Sequence, residues 1–301
     1  MPAGEQHKTL DAVAGLLDTF LDARFDRHST LVALGGGVVG DLAGFAAAVL
    51  LRGVRFVQVP TTIVAQVDAS VGGKTGVDHP RGKNLIGAFH QPSLVAIDVA
   101  TLRTLPEREV RAGLAEVVKH AVIRDAELFG HLEAELPKYA ERSASAPAWV
   151  ALIAANCRIK AEVVAKDERE SGLREILNYG HTTGHAVEAI GRYERYRHGE
   201  AVLFGMRVAG SLARHRGMWA ADAERRQQRL IDVLSVAGSP TDMPLDLVWQ
   251  YMGSDKKARA GAIRFVLPRR IGEATVVSDV SRAEFDRAWA EALSDASAGR
   301  S

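Results

Sequence analysis

Hydrophobic positions in the N-terminal third alternate between helical and strand patterns. Leucine, valine and phenylalanine recur at helical spacing over residues 7–24, which predicts an amphipathic helix. The apolar runs "TLVAL" (30–34), "RFVQVP" (55–60) and "LVAID" (94–98) are typical of short buried strands. A helix of small residues, "LAGFAAAVLL", is predicted between the first two strands. This order of strand, glycine turn, helix and strand indicates a parallel α/β sheet of the nucleotide-binding kind.

The pattern changes after the segment "TLPERE". Residues 107–235 are rich in Ala, Leu, Val, Glu and Arg at helical spacing, and "SPTDMP" (239–244) has the composition of a loop. A small hairpin is predicted in "AIRFVLPRRIGEATVV", among the last helices. We therefore predict an α/β domain over residues 1–105 and a mainly α-helical domain over residues 106–301.

Composition and charge restrict the class of partner. The 301 residues carry 38 Lys and Arg against 37 Asp and Glu, a net charge of +1 without long runs of either sign. This balance argues against nucleic-acid binding and favours a small-molecule partner. Cys157 is the one cysteine, which excludes an intrachain disulfide and fits a reducing cytoplasm. The longest apolar run is shorter than the ~20 residues of a membrane-spanning helix, so we expect a cytoplasmic protein with no membrane contact.

Two segments of the N-terminal third favour a ligand site. Glycines fill the predicted strand-to-helix turn, where bare backbone N–H groups can approach a phosphate, and Asp41 follows: Gly35, Gly36, Gly37 and Gly40. The spacing is not GxGxxG, so tight packing is an equal explanation of this turn. The segment "VPTTIVAQVDASVGGKTG" is predicted to be rich in loop, and it gathers hydroxyls, a carboxylate, glycines and an ammonium: Thr61, Thr62, Asp68, Gly72, Gly73 and Lys74. Burying this mixture without a ligand is costly, which favours the ligand site.

The segment "NYGHTTGH" (178–185) indicates a metal site. On a helix His181 and His185 lie one turn apart on one face, a familiar zinc geometry that needs at least one further ligand. Glu116 and His198 are the candidates. Two structural histidines are the alternative.

Charged and polar residues elsewhere admit a functional and a structural explanation. Glu116 and Lys119 share a helical face and form either part of a site or a surface ion pair, and Lys83 and Asn84 have the composition of a turn. Four cations together suggest an anionic substrate, although each alone suits a solvated helix face: Lys160, Arg174, Lys256 and Lys257.

These segments together resemble a known family. From Gly4 to about Val280 the chain resembles the 3-dehydroquinate synthases, of the sugar phosphate cyclase superfamily, through "GGGVVGDLAGF", "VPTTIVAQVDASVGGKTG", "GKNLIGAFHQP", "LRTLPEREVRAGLAEVVKH", "KDERESGLREILNYGHTTGH", "HGEAV" and "DKKARAG". The resemblance implies a Rossmann-like NAD-binding α/β domain, a mainly helical C-terminal domain and a cleft between them. Family members begin earlier, so we expect the first strands of the nucleotide domain to be missing here and NAD affinity to depend on them.

The resemblance also implies a metal centre and a cofactor site. The metal, zinc or cobalt, would be held by Glu116, His181 and His198, with His185 facing the substrate. This differs from the spacing argument, which gives both histidines of the HxxxH pair to the metal. The implied NAD contacts are Glu5, Lys8, Gly36, Gly37, Asp41, Thr61, Thr62, Lys74, Lys83 and Thr104.

The substrate implied by the resemblance is 3-deoxy-D-arabino-heptulosonate 7-phosphate. Its implied contacts are Asp68, Lys74, Asn84, Lys119, Lys160, Arg174, Asn178, His185 and Lys256. Arg174 and Lys160 suit the carboxylate, whereas Lys74, Asn84, Asn178 and Lys256 suit the phosphate; the choice between Lys256 and Lys257 stays open. Arg52 is expected to reach the site of a neighbouring subunit, which implies a homodimer.

The implied reaction yields 3-dehydroquinate and phosphate in the shikimate pathway of aromatic amino acid biosynthesis, with NAD oxidising and then reducing the substrate. Relatives that make 2-epi-5-epi-valiolone or aminodehydroquinate are alternatives; Arg174 and Asn178 favour a carboxylate and count against the former. A metal-dependent alcohol dehydrogenase of the glycerol dehydrogenase type would share the fold and the HxxxH pair. A different class of function is a non-catalytic, truncated module for metal binding or dimerisation.

Overall fold

The computed structural model describes residues 4–170, 172–236, 238–254 and 262–298. The chain forms two compact units. The first comprises the described residues up to Leu105 together with Ser145–Ala161, and the second comprises Pro106–Ala144 and the described residues from Glu162 onward. The break at Leu105 coincides with the predicted boundary, but 145–161 belongs to the first unit. The division into functional domains stays a prediction.

The first unit is built on a parallel sheet. Helix α1 (Leu10–Asp22) begins at Thr9, whose side chain accepts a hydrogen bond from the Ala12 N–H. Strands β1 (Thr30–Gly35), β2 (Arg55–Pro60) and β5 (Leu94–Val95) form a three-stranded sheet in the order β1-β2-β5. Helix α2 (Gly37–Val49) connects β1 to β2, which pair in parallel from Thr30 and Arg55. The predicted order of strand, glycine turn, helix and strand is therefore confirmed.

A hairpin follows where the sequence suggests a loop. After a π-helix (Ala65–Ala69), β3 (Lys74–His79) and β4 (Gly82–Phe89) pair antiparallel. Gly76 and Gly87 are opposite each other, and a Cβ on Gly87 would lie 2.1 Å from the Thr75 carbonyl oxygen. These glycines allow close backbone approach, and they hide the alternation that usually reveals a strand.

The second unit is helical apart from one hairpin. Its helices are α3 (Glu107–Arg124), α4 (Ala126–Ala140), α6 (His181–Ile190), α7 (His198–His215), α8 (Ala221–Leu234), α9 (Leu245–Ser254) and α10 (Arg282–Ala298). Helix α5 (Ala146–Lys166) lies in the first unit up to Ala161. Strands β6 (Phe265–Arg270) and β7 (Glu273–Val277) form the predicted hairpin. Among the described helices, none is both long enough and apolar enough to cross a membrane.

Helix α7 is the centre of the second unit. It packs against α3, α6, α8 and α10 and is buried from Gly199 to Ala213. Because α7 packs against both α3 and α6, residues far apart in sequence are brought together at these contacts.

Candidate metal centre and active site

Three side chains from three helices converge in the second unit. Glu116 lies on α3, and His181 and His198 are the first residues of α6 and α7. Each offers one ligand atom, and these atoms lie within 4.8 Å of one another. Glu116 Oε1 is 3.3 Å from His198 Nε2 and 3.7 Å from His181 Nε2. Within the described residues this buried oxygen has no hydrogen-bond partner, so the donor set fits a divalent cation such as zinc.

Glycines allow the three helices to meet at this point. A Cβ on Gly199, next to His198, would lie 1.8 Å from the Ala112 carbonyl oxygen on α3. A Cβ on Gly205 would lie 1.9 Å from the Gly180 carbonyl oxygen, just before α6. Real Cβ atoms do not approach backbone so closely, so both contacts require glycine. The ligand positions therefore depend on close packing of α7 against its two neighbours.

Both histidines present Nε2 to Glu116. His181 Nδ1 is 3.0 Å from the Tyr179 carbonyl oxygen, and His198 Nδ1 is 3.0 Å from Glu188 Oε2. A carbonyl and a carboxylate only accept, so Nδ1 carries the proton in each ring. When either imidazole is neutral its lone pair is therefore on Nε2, where a metal would bind.

Burial and charge set the protonation of the centre. Burial raises the pKa of Glu116, but Lys119, which donates to its Oε2, and the nearby histidines outweigh this effect and hold the pKa well below its usual value. Burial keeps the pKa of His181 well below its usual value, against the attraction of Glu116. Burial also lowers the pKa of His198, but Glu188 and Glu116 raise it to about 10. At neutral pH Glu116 is thus anionic and His181 neutral, both ready for a cation, whereas His198 is protonated and would release its Nε2 proton when a metal binds.

Other predicted residues lie in the same unit. The His185 ring is 5.3 Å from the His181 ring and 6.1 Å from the His198 ring, centroid to centroid. Arg174 is buried and donates to the Glu168 carbonyl oxygen, and Asn178 Nδ2 donates to Glu170 Oε1 at 2.7 Å. The predicted Lys256, and its alternative Lys257, lie outside the described residues.

The predicted substrate contacts of the first unit are distributed over four elements, the π-helix, β3, β4 and α5. Lys160 Nζ on α5 is 2.6 Å from Asp68 Oδ1. Lys74 begins β3, and Asn84 lies on β4 with φ 52 and its N–H 2.8 Å from Asp78 Oδ1. Lys74 and Asn84 are therefore on a hairpin rather than in the loop and turn that their sequence suggests.

Much of the predicted cofactor set also comes together in the first unit. Lys8 Nζ is 2.7 Å from Asp41 Oδ2 and 3.3 Å from Glu5 Oε1, and Lys83 Nζ is 3.7 Å from the same Glu5 oxygen. Burial lowers the pKa of Lys8, but Asp41 and Glu5 together raise it above its usual range.

The glycine turn leads directly into helix α2. Gly36 is the N-cap of α2 and Gly37 its first residue, so their backbone N–H groups lie at the positive end of the helix. The Thr61 N–H donates to Gly35 at 2.9 Å, which places Thr61 and Thr62 beside this turn. Thr104 ends the 3₁₀ helix Val99–Thr104 and its hydroxyl donates to Thr101. The turn thus has the geometry of an anion-binding helix N-terminus.

Sequence reasoning missed three residues around the centre. Glu188 accepts a hydrogen bond from His198 Nδ1. Arg108 donates two hydrogen bonds to Glu200, at 2.6 and 2.8 Å. Glu200 in turn accepts from the Arg197 N–H at 2.8 Å, at the start of α7. Two signals were available in the sequence: Glu188 follows His181 by two helical turns, and Glu200 has the spacing of a helix-capping glutamate.

Comparisons with known sequences identify one family along nearly the whole chain. The profile of the 3-dehydroquinate synthase N-terminal family matches residues 1–112, and that of the 3-dehydroquinate synthase C-terminal family matches residues 113–258. A 3-dehydroquinate synthase of Picosynechococcus sp. is 54% identical over 288 residues, covering 93% of this chain and 77% of the relative.

Two solved structures also have a fold similar to that of this chain. A 2-epi-5-epi-valiolone synthase of Streptomyces hygroscopicus, with NAD⁺ and Zn²⁺ bound, matches with TM-score 0.91 and 32% identity over 98% of this chain and 82% of that one. A 2-deoxy-scyllo-inosose synthase complexed with carbaglucose-6-phosphate, NAD⁺ and Co²⁺ matches with TM-score 0.87 and 27% identity over 97% of this chain and 82% of that one. Both structures therefore share the architecture of this chain.

Proposed function

Since the chain belongs to the 3-dehydroquinate synthase family, we propose that it converts 3-deoxy-D-arabino-heptulosonate 7-phosphate to 3-dehydroquinate and phosphate. This carbon–oxygen lyase reaction belongs to the shikimate pathway. One observation carries the proposal: Glu116, His181 and His198 converge in a chain that is 54% identical to a 3-dehydroquinate synthase.

We propose zinc or cobalt and NAD as cofactors, because solved relatives bind them and the residues of this chain fit them. Glu116, His181 and His198 would hold the metal, and the turn at Gly36 and Gly37 would accept the NAD pyrophosphate. The remaining cofactor contacts proposed are Glu5, Lys8, Asp41, Thr61, Thr62, Lys74, Lys83 and Thr104. Bound at these residues, the metal would supply Lewis-acid polarisation of a substrate hydroxyl and its adjacent carbonyl, and NAD would supply reversible hydride transfer.

The side chains of this protein bind and orient the substrate. Arg174 suits the carboxylate because its planar guanidinium donates two parallel hydrogen bonds, and Lys160 adds charge. Lys74, Asn84 and Asn178 suit the phosphate, and Lys256 is proposed with them. Holding a flexible, self-reacting anion in one conformation supplies much of the rate.

The substrate carboxylate distinguishes this proposal from its alternatives within the superfamily. Arg174 is buried in the unit that carries the metal ligands, and Asn178 and His185 accompany it. The planar guanidinium of Arg174 matches a carboxylate, which accepts two parallel hydrogen bonds that a substrate without a carboxylate cannot accept. These residues favour a keto-acid substrate over the precursor of valiolone.

We also propose a homodimer in which Arg52 completes the neighbouring site. Arg52 is exposed, and both Leu51 and Arg52 have left-handed backbone, with φ 50 and 68. Such strain in residues other than glycine concentrates at functional positions.

Mixed dimers of R52A and H181A test this arrangement. Each mixed dimer would hold one complete site, so an equal mixture is expected to recover about a quarter of wild-type activity after subunit exchange. Absence of any recovery, despite exchange measured by mass spectrometry, would refute the shared site.

We further propose that the enzyme works in the cytoplasm. Cys157 is a free thiol, which suits a reducing compartment. Fractionation of cells that produce the protein, with detection by antibody, would test this location.

Turnover tests the function directly. The purified protein is incubated with heptulosonate 7-phosphate, NAD and Zn²⁺ or Co²⁺, while released phosphate and the carbocyclic product are both measured. We expect equimolar phosphate and 3-dehydroquinate, lost on chelation and restored by metal, with H181A as the inactive control. Metal-loaded, NAD-saturated protein that forms neither product would contradict the proposal.

A further inference from the structure

A buried carboxylate lies behind one of the three converging ligands. Glu188 on α6 is 2% exposed, and its Oε2 is 3.0 Å from His198 Nδ1, on the side of the ring opposite Glu116. We propose that Glu188 is a positioning residue, which fixes the tautomer and the ring orientation of His198 so that Nε2 faces the metal position. The inference rests on the metal centre proposed above.

The chemistry of the contact supports this role. A carboxylate accepts from Nδ1–H, so the ring cannot rotate without losing a buried hydrogen bond. The negative charge of Glu188 also makes Nε2 a stronger ligand for a metal ion. Such supporting contacts typically contribute about 10–100-fold to metal affinity. His181 has the Tyr179 backbone carbonyl in the corresponding place. Because the Tyr179 acceptor belongs to the backbone, only the Glu188 contact can be removed by substituting a side chain.

The fold explains how Glu188 reaches a residue on another helix. Glu188 follows His181 by two turns of α6, so both side chains lie on the same face of that helix. This face packs on α7, where a Cβ on Gly184 would lie 3.1 Å from the Ala201 carbonyl oxygen. Helix α6 thereby supplies one ligand itself and the support for the ligand on α7.

A second cation is the competing explanation for Glu188. Ligand atoms of His185, Glu188 and His198 also lie within 4.8 Å of one another. A cation there would bind His198 Nδ1 in place of its proton. The 3.0 Å contact between Glu188 Oε2 and His198 Nδ1 has hydrogen-bond length, which favours the positioning role.

Cobalt titration of chelator-stripped protein distinguishes the two explanations. Wild type, E188Q and E188D are titrated with Co²⁺, with affinity measured by competition against a chromophoric chelator and coordination followed by the visible absorption bands. E224Q is the matched control, because Glu224 is also buried but has Arg214, at 2.6 Å, as its ion-pair partner in place of a proposed metal ligand. We expect one equivalent of Co²⁺ throughout, with affinity about 10–100-fold weaker and altered bands in E188Q. E188D should be intermediate and E224Q should match wild type.

Several outcomes would overturn the inference. Affinity and bands of E188Q equal to those of wild type would remove the positioning role. Two equivalents in wild type and one in E188Q would make Glu188 a ligand of a second cation. If E188Q does not fold, E188D with wild-type affinity and bands would likewise remove the role. Wild type that binds no Co²⁺ would refute the metal centre itself, which is a separate failure.

Discussion

Gly199 lies directly against Ala112, so that a Cβ on Gly199 would stand 1.8 Å from the Ala112 carbonyl oxygen. Because His198 precedes Gly199 and Glu116 follows Ala112 by one turn, this contact sets the distance between two proposed metal ligands. G199A should push α7 away from α3, lowering the free energy of unfolding by about 2–3 kcal/mol. Metal affinity should fall by about tenfold or more. Urea unfolding and Co²⁺ titration measure the two effects.

Gly130 on α4 provides the control for G199A. A Cβ there would meet no atom within 4 Å, so G130A should raise the free energy of unfolding by about 0.5–1 kcal/mol through helix propensity. Wild-type metal affinity in G199A would show that the close contact does not set the ligand spacing.

Loss of His181 should remove metal and activity together. H181A deletes an Nε2 that lies 3.7 Å from Glu116 Oε1, and two remaining ligands bind zinc poorly. Metal content after dialysis and turnover are measured on the same sample. Full metal content in H181A would exclude His181 from the ligand set.

Arg108 should stabilise the start of α7 through Glu200. The Glu200 side chain is 3% exposed and accepts from Arg108 twice, so R108A leaves a buried carboxylate with one ion-pair partner fewer. Arg108 itself is 44% exposed, and solvent screening limits the expected loss to about 1–2 kcal/mol of unfolding free energy. R108K should restore only part of it, because an ammonium cannot bind both oxygens in a planar fork.

The exposed pair Arg225 and Asp222 provides the control for Arg108. Their side chains are 64% and 69% exposed, so R225A should change the unfolding free energy by less than about 1 kcal/mol. Equal losses in R108A and R225A would show that Arg108 acts only as a surface charge.

Arg174 should contribute to substrate binding and not to metal binding. R174A removes the proposed carboxylate contact, and two charge-assisted hydrogen bonds correspond to about a 100-fold rise in KM. Metal content should not change. R174K, which keeps the charge and most of the volume, should give an intermediate KM. Unchanged kinetics in folded R174A would place the carboxylate elsewhere.

Glu284 should make stability depend on pH in the acid range. Hydrogen bonds from Arg216 and Ser281 lower its pKa from 4.5 to about 2. The folded-state pKa is below the unfolded value, so the stabilisation is complete above pH 4.5 and is lost as pH falls toward 2. Because the side chain is 33% exposed, we expect E284Q to cost about 1 kcal/mol at pH 7. The difference from wild type, measured by urea unfolding, should shrink below pH 4.5; a constant difference down to pH 3 would contradict the assignment.

The sequence by itself determined the helices, the parallel strands and the candidate residues, because hydrophobic periodicity and chemical type are local properties. It did not reveal the β3–β4 hairpin, since Gly76 and Gly87 serve contacts across strands that leave no periodic pattern. Helical spacing alone paired His181 with His185, one turn apart. The structure instead sets Glu116 Oε1 close to the Nε2 atoms of His181 and His198.

Only the tertiary structure decided which side chains meet, because they belong to helices separated by long stretches of chain. The close approach of α3, α6 and α7 at Gly199 and Gly205 determines that meeting. Glu188 acquires its partner His198 in the same way. In a helical sequence, a carboxylate such as Glu188 is most often on a solvent-exposed face. Only its burial beside the His198 imidazole gives it the proposed role of orienting that ring.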